Sequence, residues 1–348
     1  MGLAEGLRLR KRKRKPEAMS ENPLVSFVVP CHNYGRFLPE CLRAIQNQDF
    51  DAPLEIVAVN DGSTDDTAEV LRAAAAQDHR VRVLDHPQNM GHVATLNDGL
   101  KAARGRYVAR VDPDDRHHPH FLRTLIPALE SEARVGLAYG NFNLINTSGE
   151  VTEASAGVRH RGPPCVGNEF VELLGGNPIC SPTVIARREA WMMTWPVPAE
   201  LVCDDWYCNL QMASCWDFHR SPVVVADYRV HENNHHTRVS RDGSEERSVL
   251  RLLDWVYSRV EQRAELQTAK QLAKASIYAR QYLDFGRKYF GHAMHADARR
   301  CFWLAWRSSP RLVMSPTVLR WWAASFLSPR LWRSLKRVVP GRRVEGRS

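Results

Sequence analysis

The sequence lacks the cysteine spacing of a zinc module or a disulfide framework. None of its eight cysteines forms a Cys-X-X-Cys pair, and several lie inside apolar runs. In a chain of 348 residues this pattern is typical of reduced, buried cysteine, and it argues against both kinds of site. The cysteines are Cys31, Cys41, Cys165, Cys180, Cys203, Cys208, Cys215 and Cys301.

Long apolar runs are also missing. No stretch of about 18 uncharged apolar residues occurs, so no transmembrane helix is predicted. The basic start is followed by a polar segment, residues 16–23, where a secretory signal would have an apolar one. With the reduced cysteines, these absences predict a cytoplasmic protein, and the basic tails add the hypothesis of peripheral contact with the inner face of the cell membrane.

Two nucleotide-binding loops are absent as well. No Gly-X-Gly-X-X-Gly follows the first strand candidate, and no Gly-rich loop ends in Lys-Ser or Lys-Thr. The first absence disfavours a dinucleotide-binding Rossmann domain, and the second disfavours a P-loop nucleotide hydrolase.

The formal net charge of +9 is concentrated in the tails. Residues 8–15 and residues 330–348 each hold seven Lys or Arg, whereas the rest of the chain has 34 basic and 38 acidic side chains. A slightly acidic body makes a nucleic-acid partner unlikely, and only a role for Arg8–Lys15 in such binding stays open. We predict a disordered basic tail over residues 1–22, because like charges repel one another.

Short apolar runs alternate with helical periodicity between residues 24 and 116. Strands are predicted at 24–29, 54–59, 81–84 and 107–109, with amphipathic helices between them. This alternation is typical of an α/β fold with a mostly parallel sheet, in which ligands bind beyond the carboxyl ends of the strands. Three polar loops, beginning at Pro30, Asn60 and Asp112, follow such ends and are expected to meet at one crevice.

The third loop has an unusual density of carboxylates. Asp112, Asp114 and Asp115 fall within four residues, and alternation along an extended chain puts Asp112 and Asp114 on one side. Carboxylates suit Mg2+ or Mn2+, which commonly complete their shells with phosphates. The motif therefore suggests a site for a metal and a diphosphate, and a solvated acidic turn that caps a helix is the alternative.

Four segments together resemble the nucleotide-binding half of family 2 glycosyltransferases, which have the GT-A fold. They are Val25–Asn33, Glu55–Thr67, Asn89–Gly99 and Gly105–Asp115, in the order and separation of that family. The resemblance covers roughly residues 24–240 and implies a GT-A domain at 23–244, with a nucleotide-binding half at 23–116 and an acceptor half at 117–244. Arg110 departs from the family pattern, which usually has an apolar residue there, and its charge would need a partner such as an acid in the same cleft.

The resemblance implies roles for individual residues on the donor side. Asp61 would accept the imide hydrogen of uracil, although a turn or capping role is the alternative. Asp112, Asp114 and His231 would hold Mn2+ or Mg2+, with Asp115 as support, and a structural role is the alternative for His231. The residues assigned to the nucleotide sugar are Pro30, Cys31, His32, Asn33, Asp61, Gly91, Asn97, Arg110, Asp112 and Asp114.

The acceptor half carries a second acidic pair, at the predicted start of a helix. Asp204 and Asp205 lie in a segment that resembles the family's Glu-Asp-Trp/Tyr piece, which makes Asp205 the expected general base and Asp204 its orienting neighbour. Both could instead be ordinary acids of a first helical turn. The Gln-X-X-Arg-Trp signature of processive synthases is missing, which favours transfer of a single sugar.

The remainder of the sequence predicts helices. Residues 135–146 are expected to form a strand at a sheet edge, and residues 223–231 the last strand. Residues 245–315 have helical periodicity and form a predicted all-helical extension. Residues 316–348 combine tryptophans with basic residues, which suggests an interfacial helix on an anionic membrane or, alternatively, a terminal helix packed on the body.

These patterns lead to one hypothesis with three rivals. We expect a metal-dependent, inverting transferase that moves one sugar from a UDP-linked nucleotide-diphospho sugar. The expected acceptor is a saccharide or lipid-linked precursor of a bacterial surface polysaccharide or lipopolysaccharide. A catalytically silent scaffold on the same fold would bind donor without turnover. A nucleic-acid-binding protein would lose its binding with the N-terminal tail, and a sugar nucleotidyltransferase would need a Gly-rich basic loop after the first strand.

Overall fold

A ten-stranded sheet forms the centre of the computed structural model, which describes residues 22–156, 162–231 and 243–326. The strands are β1 (Val25–Cys31), β2 (Leu54–Asp61), β3 (Val81–His86), β4 (Tyr107–Arg110), β5 (Arg116–His117), β6 (Val135–Ile145), β7 (Val151–Glu153), β8 (Cys165–Gly167), β9 (Val184–Arg187) and β10 (Asp217–Arg229).

Helices cover both faces of the sheet and make up the C-terminal region. They are α1 (Leu38–Gln46), α2 (Thr67–Gln77), α3 (His92–Ala102), α4 (Phe121–Ser131), α5 (Phe170–Leu173), α6 (Arg188–Thr194), α7 (Asp204–Ala213), α8 (Ser244–Ser258), α9 (Ala264–Gly291), α10 (His295–Ser308), α11 (Pro310–Val313) and α12 (Pro316–Ala324).

The first strands explain why this sequence forms a parallel sheet. Every residue of β1 and β2 is buried, because helices cover both faces, and such strands consist of near-continuous apolar runs. Helix α3 lies close to β1 at Gly99, where an added Cβ would be 2.4 Å from Val28 Cγ1. Because Gly99 has no side chain, α3 can pack closely on β1. This packing fixes the position of the loop that precedes α3.

The strand order is β3-β2-β1-β4-β9-β6-β10-β5, with β7 on β6 and β8 on β10. From β3 to β4 all pairs are parallel, whereas β9 is antiparallel to both β4 and β6. The α/β class with a flanked sheet is confirmed, and the sheet is parallel in its first half and mixed in the second. The carboxyl ends of β1, β2 and β4 lie at the same edge, as the alternation of strands and helices predicts.

Strand β6 is not at the sheet edge, so that expectation is wrong. It lies between β9 and β10, and its first seven residues are buried. Two glycines permit this close packing: an added Cβ at Gly136 would be 2.4 Å from the Trp216 ring, and one at Gly140 would be 2.7 Å from the carbonyl oxygen of Val223. Sequence periodicity cannot distinguish such a buried strand from an edge strand, because the neighbours come from distant segments.

The helices after residue 243 pack on the sheet through a shared core. One buried cluster includes Val28 of β1, Leu252 of α8, Phe285 of α9 and Phe302 of α10. The helical C-terminal region is thus confirmed, and the domain boundaries at 117 and 245 stay predictions. Within the described ranges, no helix is both long and apolar enough to cross a membrane.

The described part of the C-terminal tail packs on the body. Trp321 and Trp322 of α12 contact the buried cluster, and Arg287 of α9 stacks on the Trp321 ring at 4.8 Å. For residues 316–326 the packed helix, which was the alternative to an interfacial one, is what the structure has. The expectations for residues 1–21 and 327–348 lie outside the described residues.

Candidate active site

The first two polar loops are joined by hydrogen bonds at the edge of the sheet. Asn33 Oδ1 accepts from the backbone N–H of Thr64 at 2.8 Å, and its own N–H donates to Ser63 Oγ at 3.1 Å. His32 Nδ1 lies 2.7 Å from the carbonyl oxygen of Asp61. Pro30 and Cys31 are buried in β1, so His32 and Asn33 are the members of this loop with exposed atoms. Burial raises the pKa of the Cys31 thiol, which is therefore neutral.

Asp61 is held by a network of donors. Its Oδ1 accepts from the Met90 N–H and lies 2.7 Å from His86 Nδ1, while its Oδ2 accepts from the Gly91 N–H at 2.9 Å. His86 also lies 3.0 Å from Asp98 through Nε2. Burial alone would raise the pKa of Asp61, but these hydrogen bonds outweigh it and lower the pKa. Asp61 is thus an ionised acceptor with a fixed orientation.

Asn97 holds a neighbouring segment in place. Its Nδ2 donates to the carbonyl oxygen of Val197 at 3.0 Å, and its Oδ1 accepts from the N–H of the same residue at 2.8 Å. This two-way pairing attaches α3 to the chain after α6. The assignment of Asn97 to the nucleotide sugar stays a prediction, and in this conformation its amide group bonds to protein backbone.

A hydrogen bond from the last residue of strand β10 holds the acidic motif in place. Asp115 is buried, and its Oδ1 accepts from the backbone N–H of Arg229 at 2.8 Å. Burial, followed by the charges of Asp114 and Asp112, raises the pKa of Asp115 well above its usual range. Asp114 Oδ2 lies 2.8 Å from His231 Nε2, and the His231 ring stacks on Phe37.

The structure therefore brings Asp114 and His231 together across 117 residues of sequence. Asp112 is the first acid of the same motif, and 24% of its side chain is exposed. Among the residues that the structure describes, no group of three or more His, Cys, Asp or Glu is arranged so as to hold a metal ion. Two carboxylates and an imidazole still fit Mn2+ chemically, provided that a ligand such as a diphosphate completes the shell.

Arg110 connects the donor side of the site to the acceptor side. Its Nη1 lies 2.5 Å from Asp204 Oδ2, and its Nη2 lies 3.4 Å from Asp112 Oδ1 and 2.8 Å from His92 Nε2. The acid that the Arg110 charge needs is therefore Asp204. His92, the first residue of α3, was missed by the sequence analysis, although it lies within the Asn89–Gly99 segment.

Asp204 and Asp205 begin helix α7, as predicted, but their surroundings differ. Burial would raise the pKa of Asp204, yet Arg110 and His92 lower it well below its usual range. Burial and the charge of Asp204 instead raise the pKa of Asp205. Asp205 Oδ2 accepts from Asn177 Nδ2 at 2.9 Å, a second contact that the sequence did not indicate. The pair thus combines a firmly ionised carboxylate with a more basic one.

A small cleft joins these groups. Asp205 and Arg110 both line it, so the expected base and the bridging arginine face the same space. Its walls also include the indole of Trp191, whose Nε1 donates to the carbonyl oxygen of Val108 at 2.9 Å. The lining residues are Arg110, Ser181, Val184, Trp191, Asp205 and Asn209.

Comparison with known proteins finds a match to one family over part of the chain. Residues 26–191 match the family model described as glycosyl transferase family 2. The glycosyltransferase GlyG of Streptococcus pneumoniae is 40% identical over 125 residues, which are 36% of this chain and 40% of that protein. An uncharacterized glycosyltransferase of Haemophilus influenzae is 31% identical over 178 residues, 50% of this chain and 54% of that protein. These alignments span about half the length of the relatives or less.

Solved structures share the fold over most of the chain. S. aureus TarS 1–349 in complex with UDP-GlcNAc superposes with a TM-score of 0.60 at 17% identity, covering 91% of this chain and 93% of that one. The mannosyltransferase PcManGT of Pyrobaculum calidifontis, in complex with GDP-Man and Mn2+, gives a TM-score of 0.56 at 16% identity, covering 93% and 89%. At this identity the likeness concerns the fold alone. Residues 26–191 thus match glycosyl transferase family 2, and the fold around them is of the GT-A type.

Proposed function

We propose that this protein transfers one sugar from a nucleotide-diphospho sugar to a saccharide or lipid-linked acceptor, with inversion at the anomeric carbon. The observation that supports this most is the bridge made by Arg110, which contacts Asp112 on the donor side and Asp204 on the acceptor side. This bridge links the acidic motif to the start of α7, and a displacement between two substrates requires that both be held side by side.

Asp205 is the proposed general base. It would take the proton of the acceptor hydroxyl as the oxygen attacks C1 of the sugar, and the nucleoside diphosphate would leave from the opposite face. Its raised pKa suits a base better than the lowered pKa of Asp204. Asp204 would act by holding Arg110, and Asn177 would orient Asp205 through the hydrogen bond to Oδ2.

The proposed donor is UDP-linked. An ionised Asp61 is an acceptor, and uracil N3–H is a donor. His32 and Asn33 line the same loop edge and would contact the nucleoside, with Gly91 contributing backbone. The TarS structure contains UDP-GlcNAc, whereas PcManGT contains GDP-Man, so the neighbours leave the base open and Asp61 carries this part of the proposal.

A divalent cation, Mn2+ or Mg2+, is the proposed cofactor. Asp114 and His231 would hold it, with Asp112 beside them, and the diphosphate would supply further oxygens. When bound, the ion would neutralise the charge that develops on the departing diphosphate. Asp115 would keep the motif in position through its hydrogen bond from the Arg229 N–H.

The acceptor and the location are proposed from the family and the tails. The family match over residues 26–191 supports a saccharide or lipid-linked acceptor in bacterial surface polysaccharide or lipopolysaccharide synthesis. The basic segments at 8–15 and 330–348 would hold the enzyme at the anionic cytoplasmic face of the membrane, where such acceptors are found.

Nucleoside diphosphate release from a panel of UDP-, GDP- and dTDP-sugars tests this proposal. We expect release from one UDP-sugar with Mn2+ or Mg2+, its loss in EDTA, and its loss in Asp114→Ala. The exposed Asp51→Asn serves as the matched control and should behave as the wild type. Donor binding without turnover, even with membrane extract as a source of acceptor, would instead establish the scaffold alternative.

A further inference from the structure

Helix α10 presents an unusual surface to solvent. Its inner side is fully apolar, with Ala298, Phe302 and Ala305 completely buried, whereas Trp303 and Trp306 on its outer side are 45% and 43% exposed. Large aromatic side chains left in water at adjacent positions are unfavourable, because their apolar area is not removed from water. Such a patch indicates a partner that covers it.

Arginines are interleaved with these aromatic rings. The Arg307 guanidinium stacks over the Trp303 ring at 4.8 Å, and Arg299 stacks over the ring of Phe326 at 5.2 Å. Arg299, Trp303 and Arg307 follow one another at four-residue spacing, so they lie on one side of the helix. We call Arg299, Trp303, Trp306, Arg307 and Phe326 the tryptophan–arginine face.

Acidic side chains are absent from this part of the sequence. Residues 298–344 contain eleven Lys or Arg and no Asp or Glu. The structure describes this segment to Phe326, which is 68% exposed and lies on the face itself. Seven Lys or Arg, six of them among these eleven, lie within residues 327–348, so the basic end of the sequence follows directly on a residue of this face. The neighbouring sequence therefore adds positive charge to the face, and no carboxylate within residues 298–344 offsets it.

We propose that the tryptophan–arginine face docks on a bilayer surface that contains anionic phospholipids. Indole rings favour the interface between water and hydrocarbon, where one part of the ring is apolar and the N–H meets polar groups. Guanidinium groups bind phosphate with two parallel hydrogen bonds and tolerate partial desolvation when stacked on a ring. An anionic bilayer supplies both the phosphates and the apolar layer beneath them.

Exposed aliphatic side chains near the tryptophan–arginine face favour a lipid partner over a nucleic-acid partner. Met314 follows α11 and is 63% exposed, and Leu319 of α12 is 38% exposed. Aliphatic side chains gain from contact with acyl chains, whereas they do not stack on bases as aromatic rings do. The docking is independent of the donor site, because none of these residues lines the cleft around Asp205.

Co-sedimentation of the full-length protein with vesicles tests the proposal. We expect binding to vesicles of equal parts phosphatidylglycerol and phosphatidylcholine, and much less binding to pure phosphatidylcholine. The face variant Trp303→Ser/Trp306→Ser/Arg307→Glu should partition at least about tenfold less, since it removes two interfacial indoles and reverses one positive charge at an anionic surface. The control Arg72→Glu/Leu272→Ser changes an exposed arginine and a leucine that is 81% exposed, and should bind as the wild type.

Two further measurements separate the face from the tail and from other partners. A full-length variant with Arg333, Lys336 and Arg337 changed to Gln measures the contribution of the tail. If the face variant binds vesicles as the wild type does, the proposal is overturned, whatever the tail variant shows. Tighter binding of a single-stranded oligonucleotide than of vesicles, or a dimer in light scattering that the face variant abolishes without vesicle binding, would also overturn it.

Thermal unfolding and donor hydrolysis, measured on the same variants, show that the fold is retained. Because vesicle binding requires no turnover, its failure does not affect the proposed chemistry, and an inactive protein that binds vesicles supports the docking surface alone.

Discussion

The guanidinium of Arg110 pairs with the carboxylate of Asp204 across 94 residues of sequence, and both side chains are almost completely buried. The next residue along α7, Asp205, faces the same cleft. Arg110 lowers the pKa of Asp204, whereas burial and the charge of Asp204 raise the pKa of Asp205. The two adjacent carboxylates therefore differ in acidity.

Replacing the proposed base should abolish chemistry and spare donor binding. Asp205→Asn keeps the shape of the side chain but cannot accept a proton, so we expect kcat to fall by about 10²–10⁴. The affinity for the nucleotide sugar should change little, because Asp205 lies on the acceptor side. Transfer rates and calorimetric titration with the donor measure the two quantities. An Asp205→Asn enzyme with more than about a tenth of the wild-type rate would exclude Asp205 as the base.

Replacing Asp204 should shift the pH profile of kcat/KM in a predictable direction. A general base acts when deprotonated, so kcat/KM should rise with pH through the raised pKa of Asp205. Asp204→Asn removes the neighbouring negative charge while Arg110 remains, and both conditions favour ionised Asp205. The acid limb should therefore move to lower pH in Asp204→Asn. A limb that stays in place, or moves to higher pH, would show that another group controls it.

Breaking the buried ion pair should destabilise the fold. Arg110→Met leaves the Asp204 carboxylate buried without its main partner, and such changes cost about 3–5 kcal/mol in the free energy of unfolding. The double variant Arg110→Met/Asp204→Leu removes both charges and should recover most of that loss. Denaturant unfolding measures both, and an equally unstable double variant would contradict the explanation.

An exposed ion pair provides the matched control for that experiment. Arg123 and Asp49 also form an ion pair, but their side chains are 59% and 62% exposed. Arg123→Met should change the free energy of unfolding by only about 0–1 kcal/mol, since solvent screens both charges.

The contribution of His86 to stability should depend on pH. Burial would lower the pKa of His86, but its hydrogen bonds to Asp61 and Asp98 outweigh burial and raise it. A raised folded-state pKa gives stability that is fully present below the unfolded-state pKa of about 6.5 and is lost as pH rises through the folded-state value. The difference in unfolding free energy between the wild type and His86→Gln should therefore shrink as pH increases. His79→Gln, at an exposed histidine, is the control and should show no such trend.

Removal of the metal should stop turnover, and loss of His231 should raise the concentration of metal that turnover requires. Because Asp114 and His231 are in contact, we expect the loss of either to weaken metal binding, and His231→Ala should raise the Mn2+ concentration for half-maximal activity at least about tenfold. Titration of Mn2+ in the presence of donor, followed by binding heat as well as by rate, measures this. The exposed His79→Ala is the control, and full turnover in EDTA would exclude the metal proposal.

Much of this protein could be predicted from local sequence patterns. The apolar runs at 24–29 and 54–59 became β1 and β2, and the acidic pair at 204–205 began a helix as expected. Fully buried strands and helix starts are set by the residues within each element, so periodicity and end residues identify them. The acidic motif at Asp112 and the strand-end loops were visible for the same reason.

The edge position assigned to β6 was wrong, and the partners of Arg110 and Asp61 were not found by sequence alone. Arg110 reaches Asp204 and His92, and Asp61 binds His86 and the backbone after β3. These contacts join loops that are far apart in sequence, and their geometry depends on how helices pack on the sheet.

By itself the sequence determined the alternation of strands and helices, and therefore the order in which polar loops arrive at one edge of the sheet. Only the tertiary structure decided which side chains meet around Arg110: it pairs with Asp204, and His92 lies beside it. The physical reason is that hydrophobic periodicity specifies which face of an element is buried, whereas an ion pair depends on distances of a few ångströms between side chains on separate elements. Those distances exist only after the elements have packed.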